Sequence, residues 1–212
     1  AAGWEKKEGP PEDFSDLIAL TEWSAGVTDA AFAAEAADWL QLDEFMDWLL
    51  LVTWFAAADS AGKNAYLLND PEAFGFRYVP WDFNHALGQD WRTARVPADW
   101  SSTFMSNNGI FRHIQQQPDL AAQLWQRYSA LRAPGAPLSA ASLRGQVDAY
   151  YALIEPSCRR DWARWDASYA SYGGWASLRA DAGDLLEFDG EREYVQRWLL
   201  DREAAQAALH PL

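Results

Sequence analysis

Apolar positions recur at helical spacing along most of the chain. Pro10 and Pro11 precede Phe14, Leu17, Ile18 and Leu20, a set that marks a short amphipathic helix with proline at its start. Thr28, whose hydroxyl can accept an N–H bond from a first turn, predicts a second helix running to about Leu40. The following segment, EFMDWLLLVTWFAAA, takes Asp43 as its predicted cap and differs in kind. Phe45, Met46, Leu49, Leu50, Val52 and Phe55 cover nearly the whole circumference. This helix, ending near Ala58, is therefore expected to be buried on all sides and to be the most buried element.

The period then shortens. Ala65 to Leu68 predicts a strand, Asn69, Asp70 and Pro71 a turn, and Phe76 to Val79 a returning strand of aromatic and β-branched character. From Gln89 to Asn108 the chain is rich in Ser, Asn and Trp without a period, a length of loop that usually carries function or is disordered. Helical spacing resumes at Ile110 to Gln117, at Asp119 to about Leu131, and at Ser139 to Ile154, where Leu143, Val147, Tyr150 and Ile154 would share a face. Two more helices, near Ser157 to Ala167 and Glu191 to Leu209, flank a Gly173-Gly174 loop. The expected fold class is mainly α with one small β-hairpin.

Composition narrows the function. At 212 residues and 50% apolar composition, one core and a single domain over residues 1–212 are expected. With 17 basic and 31 acidic residues the formal net charge is −14, which argues against a nucleic acid or an anionic lipid surface as partner. The longest apolar stretch, Trp48 to Ala58, falls short of the ~20 residues that cross a bilayer. A single cysteine, Cys158, excludes an internal disulfide and reads as a small buried filler, and no CxxC pair suggests zinc. The beginning, AAGWEKKEGPPEDF, has neither an initiator methionine nor a signal-peptide core, and reads as a chain cut from something longer. Localisation and redox compartment do not follow from it. The 13 Trp are spread along helical patterns and are read as core residues rather than as a sugar-binding groove. His113 and His210, without matching partners in the sequence, are read as surface or packing residues.

Candidate chemistry gathers at the hairpin. Asp59 and Asn64 stand as D-x-x-x-x-N directly after the buried helix, and Asp82 closes the second strand within W-D-F. Phosphoryl transfer needs one Asp to accept the proton of the acceptor hydroxyl, with an Asn and a second Asp holding magnesium against the nucleotide phosphates. The spacing alone is common by chance; the buried helix, the hairpin and the terminal W-D-F give it context.

The run from Trp48 to Gly88, above all NAYLLND and RYVPWDFNHALG, resembles the CotH kinase family, named for a spore-coat protein of bacilli. WEKKEGPPEDFSDLIAL is similar to the segment joining that family's two lobes, and RRDWARW and YVQRWLLDREAAQAAL are similar to its closing helices. The resemblance implies the C-terminal lobe of an atypical, protein-kinase-like enzyme, with residues 1–12 as inter-lobe segment and a nucleotide-binding lobe upstream of Ala1. It implies ATP and Mg2+ as cofactors, and transfer of the γ-phosphate to Ser or Thr hydroxyls of a coat or surface protein. Carried over by position, Asp59 becomes the catalytic base, Asn64 and Asp82 the metal ligands, and Lys63 stands in for the lysine that many kinases place at the position of Ala61. Asn84 replaces an acidic residue of many relatives, and Ala57 and Ala58 replace bulkier ones. By the same resemblance, the chain alone should bind ATP weakly or not at all, any residual binding should depend on the metal, and the chain alone should be inactive. A non-catalytic surface adhesin or pseudokinase module is the alternative, and hydrolysis of carbohydrate by two carboxylates across a Trp-lined groove a third.

Overall fold

The computed structural model describes residues 4–57, 60, 64–70, 75–90, 94–101, 108–171 and 187–209. It is mostly helical with one small antiparallel sheet, as the pattern predicts. Three helices lead: α1 (Ser15–Gly26), α2 (Asp29–Trp39) and α3 (Leu42–Trp54). Strands β1 (Ala65–Asn69) and β2 (Phe76–Pro80) follow, then α4 (Gly109–Gln116), α5 (Pro118–Arg132), α6 (Ala140–Ser171) and α7 (Phe188–Leu209).

The helix starts obey local chemistry. Thr28 caps α2 by accepting from the Ala31 N–H, and Asn108 caps α4 by accepting from the N–H groups of Ile110 and Phe111. Asp43 is not the cap of α3. The helix begins one residue earlier, at Leu42, and Asp43 lies in its first turn, where a carboxylate still complements the positive helix end. Seven residues of α3 are buried (Phe45, Met46, Trp48, Leu49, Leu50, Val52 and Trp54), more than in any other helix among the described residues. It stops at Trp54 rather than Ala58, because Ala56 turns left-handed (φ 52°). The Ala57 N–H then donates to the Val52 carbonyl at 3.1 Å and the Ala56 N–H to Thr53, closing the end with the paired bonds of a Schellman turn.

The hairpin docks on the junction of α2 and α3. The Gln41 N–H donates to the Phe76 carbonyl at 2.8 Å, and Leu40 bridges Phe76 in parallel. Gly75 makes that approach possible: it has φ +86°, and a Cβ there would lie 3.0 Å from the Leu40 carbonyl carbon. Tyr78 of β2 then packs on Trp48 (ring centroids 5.2 Å), Phe45 (4.8 Å) and Phe111 (5.6 Å), joining strand, α3 and α4 in one aromatic cluster. A second cluster, Trp39 on Trp23 on Phe32 on His113, binds α1 and α2 to α4. His113 is buried and does have partners: Nδ1 lies 2.6 Å from the Asp29 carboxylate and Nε2 lies 3.2 Å from the Ser24 carbonyl.

The C-terminal half departs from expectation in one main respect. The two helices expected around Pro156 are a single helix, α6, that runs through the proline. Ion pairs to α7 hold it on both sides of the break: Arg192 with Asp148 before it, and Arg159 with Asp189 after it. The face drawn through Leu143, Val147, Tyr150 and Ile154 turns outward along its length. Leu143 is buried, whereas Tyr150 is 65% and Ile154 44% exposed. Ile18 on α1 is likewise exposed. Cys158 is half-exposed rather than a core filler. Trp48, Trp54 and Trp198 are core residues as read, but Trp4, Trp81 and Trp165 are exposed. Gly173, Gly174 and His210 lie outside the described residues. Among the described residues no helix is long and apolar enough to cross a membrane.

Candidate functional site at the open end of the hairpin

Strand register puts Asn64 and Asp82 at the same end of the hairpin. Ala65 pairs with Pro80, so the residue before β1 and those just after β2 emerge at the same open end of the ribbon. Both have left-handed backbones, each with φ 56°, a conformation that Asn and Asp tolerate better than other side chains. Asn64 is half-buried and Asp82 exposed. Asp59 and Lys63, expected as base and auxiliary cation, lie outside the described residues, as do Ala58 and Ala61.

Ser60 is the residue that sequence reasoning missed. It is 2% exposed, its N–H donates to the Ala57 carbonyl at 3.1 Å, and its hydroxyl donates to the backbone carbonyl of Asp82 at 3.2 Å. The loop after α3 is thereby tied to the backbone of the W-D-F motif across 22 residues of sequence. A lone Ser in a loop offers no signal by which this tie could have been foreseen. The motif itself divides by side: Trp81 is exposed and meets Tyr66 edge-on at 5.3 Å, while Phe83 packs edge-on against the buried Trp48 at 5.5 Å. Two neighbours on opposite sides leave Asp82 little freedom to turn. Beyond it, the Leu87 N–H donates to the Phe55 carbonyl at 3.0 Å, fastening the descending chain to the end of α3.

Two cavities adjoin this point. One, of about 600 Å3, lies between residues 4–8, the start of α1 and the hairpin, with Phe14, Leu17, Leu67 and Val79 as apolar walls and Lys6 and Lys7 beside it. Another, of about 430 Å3, begins at Phe83 and Asn84 and is walled by Arg95, Tyr151, Glu191 and Tyr194. Arg95 grips Glu191 with two bonds, of 2.7 and 3.1 Å, and lies over the Tyr194 ring at 3.9 Å, so that wall is firmly set and its charge neutralised. Asn84 is exposed at its mouth, and His85 is half-buried next to it.

The donor set suits a small hard cation. Magnesium takes oxygen ligands, keeps several of its waters and needs only one or two protein groups besides a phosphate. A carboxylate and an amide oxygen carried at one hairpin end have that chemistry. Among the described residues no group of three or more His, Cys, Asp or Glu converges as a closed metal cage would require.

A family model described as "CotH kinase protein" matches residues 1–205. The chain is also similar to "Inner spore coat protein H" of Bacillus subtilis (strain 168), at 29% identity over 98 residues, which is 46% of this chain. The match spans 27% of that relative's length.

Proposed function

The chain belongs to the CotH kinase protein family, and from that premise we propose that it is the catalytic and metal-holding lobe of a protein-kinase-like phosphotransferase. In this reading it moves the γ-phosphate of ATP to a Ser or Thr hydroxyl of a polypeptide, and the similarity to an inner spore coat protein favours a coat or surface protein as acceptor. The observation that supports the reading is the hairpin register, in which Asn64 and Asp82 flank the same end of the ribbon. Magnesium, when bound, neutralises the phosphate charge that develops as the terminal bond breaks.

The protein's own groups divide the work. Asn64 and Asp82 would hold the metal from two left-handed backbone positions, of which that at Asp82 is tied by Ser60. Asp59 accepts the proton of the attacking hydroxyl while the hydroxyl oxygen bonds to the γ-phosphorus and ADP departs, with Lys63 standing in for the lysine that many kinases place at the position of Ala61. The larger cavity has an apolar floor beside the hairpin, with Lys6 and Lys7 paired to Asp16 and Glu5 at its rim, and the adenine contacts fall to the family's other lobe. The smaller cavity, opening at Asn84, leaves room for the acceptor chain.

Transfer of radiolabel from ATP to a Ser-containing acceptor by this lobe joined to the family's nucleotide-binding lobe tests the reading, this lobe alone being expected to be inactive. Magnesium-dependent transfer is expected, falling at least about a hundredfold in Asp59→Ala and in Asp82→Ala. Undiminished transfer in Asp82→Ala would sink the metal assignment. An inactive wild type, with its fold intact, would leave the surface-adhesin or pseudokinase module as the better account.

A further inference from the structure

Arg202, on α7, is 1% exposed and donates to four backbone carbonyls and to the Gln206 side-chain oxygen, which lies 3.2 Å from Nη1 and 3.3 Å from Nη2. Its Nε reaches Trp54 at 3.0 Å, Nη1 reaches Ala98 at 2.6 Å and Trp100 at 2.7 Å, and Nη2 reaches Thr53. It forms no ion pair with a carboxylate among the described residues. A buried cation held by neutral oxygens is an expensive way to fill a core, where an apolar side chain of similar volume would serve stability as well or better. The reason for it lies in which carbonyls it holds.

Thr53 and Trp54 are the last two residues of α3, whose terminal carbonyls form the negative end of the helix and favour a guanidinium. Immediately beyond them come the left-handed Ala56, the Ala57 bond back to Val52, and the Phe55 carbonyl that accepts from Leu87. Ala98 and Trp100 belong to the chain that descends from Asp82. One planar fork therefore spans the segment entering the site and the segment leaving it. The same face of α7 carries two more ties to that descending chain, at helical spacing. Tyr194 donates to the Gly88 carbonyl at 2.6 Å, and the Trp198 indole N–H donates to Val96 at 3.0 Å. Gly88 is required under them, since a Cβ would lie 2.4 Å from Trp198.

We propose that Arg202 is a positioning residue of the hairpin site, its fork fixing the end of α3 against residues 96–100 and so setting where the loop that follows α3 starts and where the Asp82 segment turns. The word "site" rests on the phosphotransferase reading, but the positioning does not, and the two are tested separately. Residue-resolved amide hydrogen exchange compares Arg202→Met and Arg202→Lys with Leu20→Ala, a core truncation in α1, which controls for loss of overall stability. Exchange at the Ala57, Ser60 and Leu87 amides is expected to rise about tenfold or more in Arg202→Met beyond the rise that its lost overall stability accounts for, with Arg202→Lys intermediate because an ammonium lacks the fork. Protection at those amides that falls only in step with overall stability, as in Leu20→Ala, would overturn the proposal. Should Arg202→Met not fold, the Arg202→Lys comparison decides it alone. In phosphate transfer, Arg202→Lys should lower kcat while leaving the KM for ATP unchanged. An inactive wild type would count against the phosphotransferase reading and leave the exchange result to decide the positioning.

Discussion

Ala56, Asn64, Asp82 and Leu87 all hold positive φ, and among the described residues they are the only ones besides glycines to do so. All four border the hairpin site, two on the chain entering the ribbon and two on the chain leaving it. Such backbones persist only where surroundings impose them: here the Schellman bonds around Ala56, the Ser60 tie at Asp82 and the Phe55 carbonyl at Leu87. Asn64 and Asp82 were legible as candidates, because their residue types and spacing suit a metal-holding role. Ala56 and Leu87 were not, because neither type favours the left-handed region and only tertiary bonds place them there. Tyr78, beneath the site, gives a residue-level prediction. Burial pushes its phenol up to about 12, with the Asn108 side chain offsetting part of the rise. An unfolded tyrosine titrates near 10, so the folded state holds the proton more tightly between those values. Stability is then full below about pH 10 and falls as pH rises towards about 12, by at most ~2–3 kcal/mol from this group. Urea unfolding of the wild type and Tyr78→Phe at about pH 9 and about pH 11 should show a shallower loss in the variant. Part of the loss should survive in it, since burial also raises the Tyr128 phenol. Equal slopes would mean that Tyr78 is hydrated.

Among the elements, those with strong local chemistry were read almost to the residue. Thr28 capped α2 as expected, and the alternation around Phe76 to Val79 gave β2. What misled was a rule applied locally where a long-range contact decides. Pro156 reads as a helix break because it lacks an N–H and crowds the carbonyl four residues before it. In the fold, α6 packs along α7, with the Asp148–Arg192 and Asp189–Arg159 pairs on either side of the proline, and the helix continues. The proline consequently remains a cost. Pro156→Ala is expected to stabilise the protein by about 1–3 kcal/mol, read as a higher denaturation midpoint with an unchanged slope. A destabilised variant would show that Pro156 sets a bend the packing needs. The same limit explains Tyr150 and Ile154: helical spacing identified a stripe but not how much of it α7 covers.

For the molecule as a whole, charge and surface ion pairs pull in opposite directions. A net charge of −14 repels itself over the surface, whereas the exposed pairs on α6 and α7 are each worth little and are screened by salt. Repulsion should win, so raising sodium chloride from about 0.02 M to about 0.3 M is expected to raise Tm. A fall would mean that the α6–α7 pairs dominate. Composition made that balance legible, as it did the single core, but not the closure of the fold by α7. No pattern in YVQRWLLDREAAQAAL says which distant carbonyls its arginine will meet. Arg202 meets Thr53 across 149 residues, and Tyr194 meets Gly88 across 106. On a ribosome, which releases the chain from its beginning, the hairpin and its Asp emerge long before the helix that latches them. A nascent chain therefore carries every residue of the candidate site while it is still unlatched, and acquires the site's geometry only once the final helix has been made.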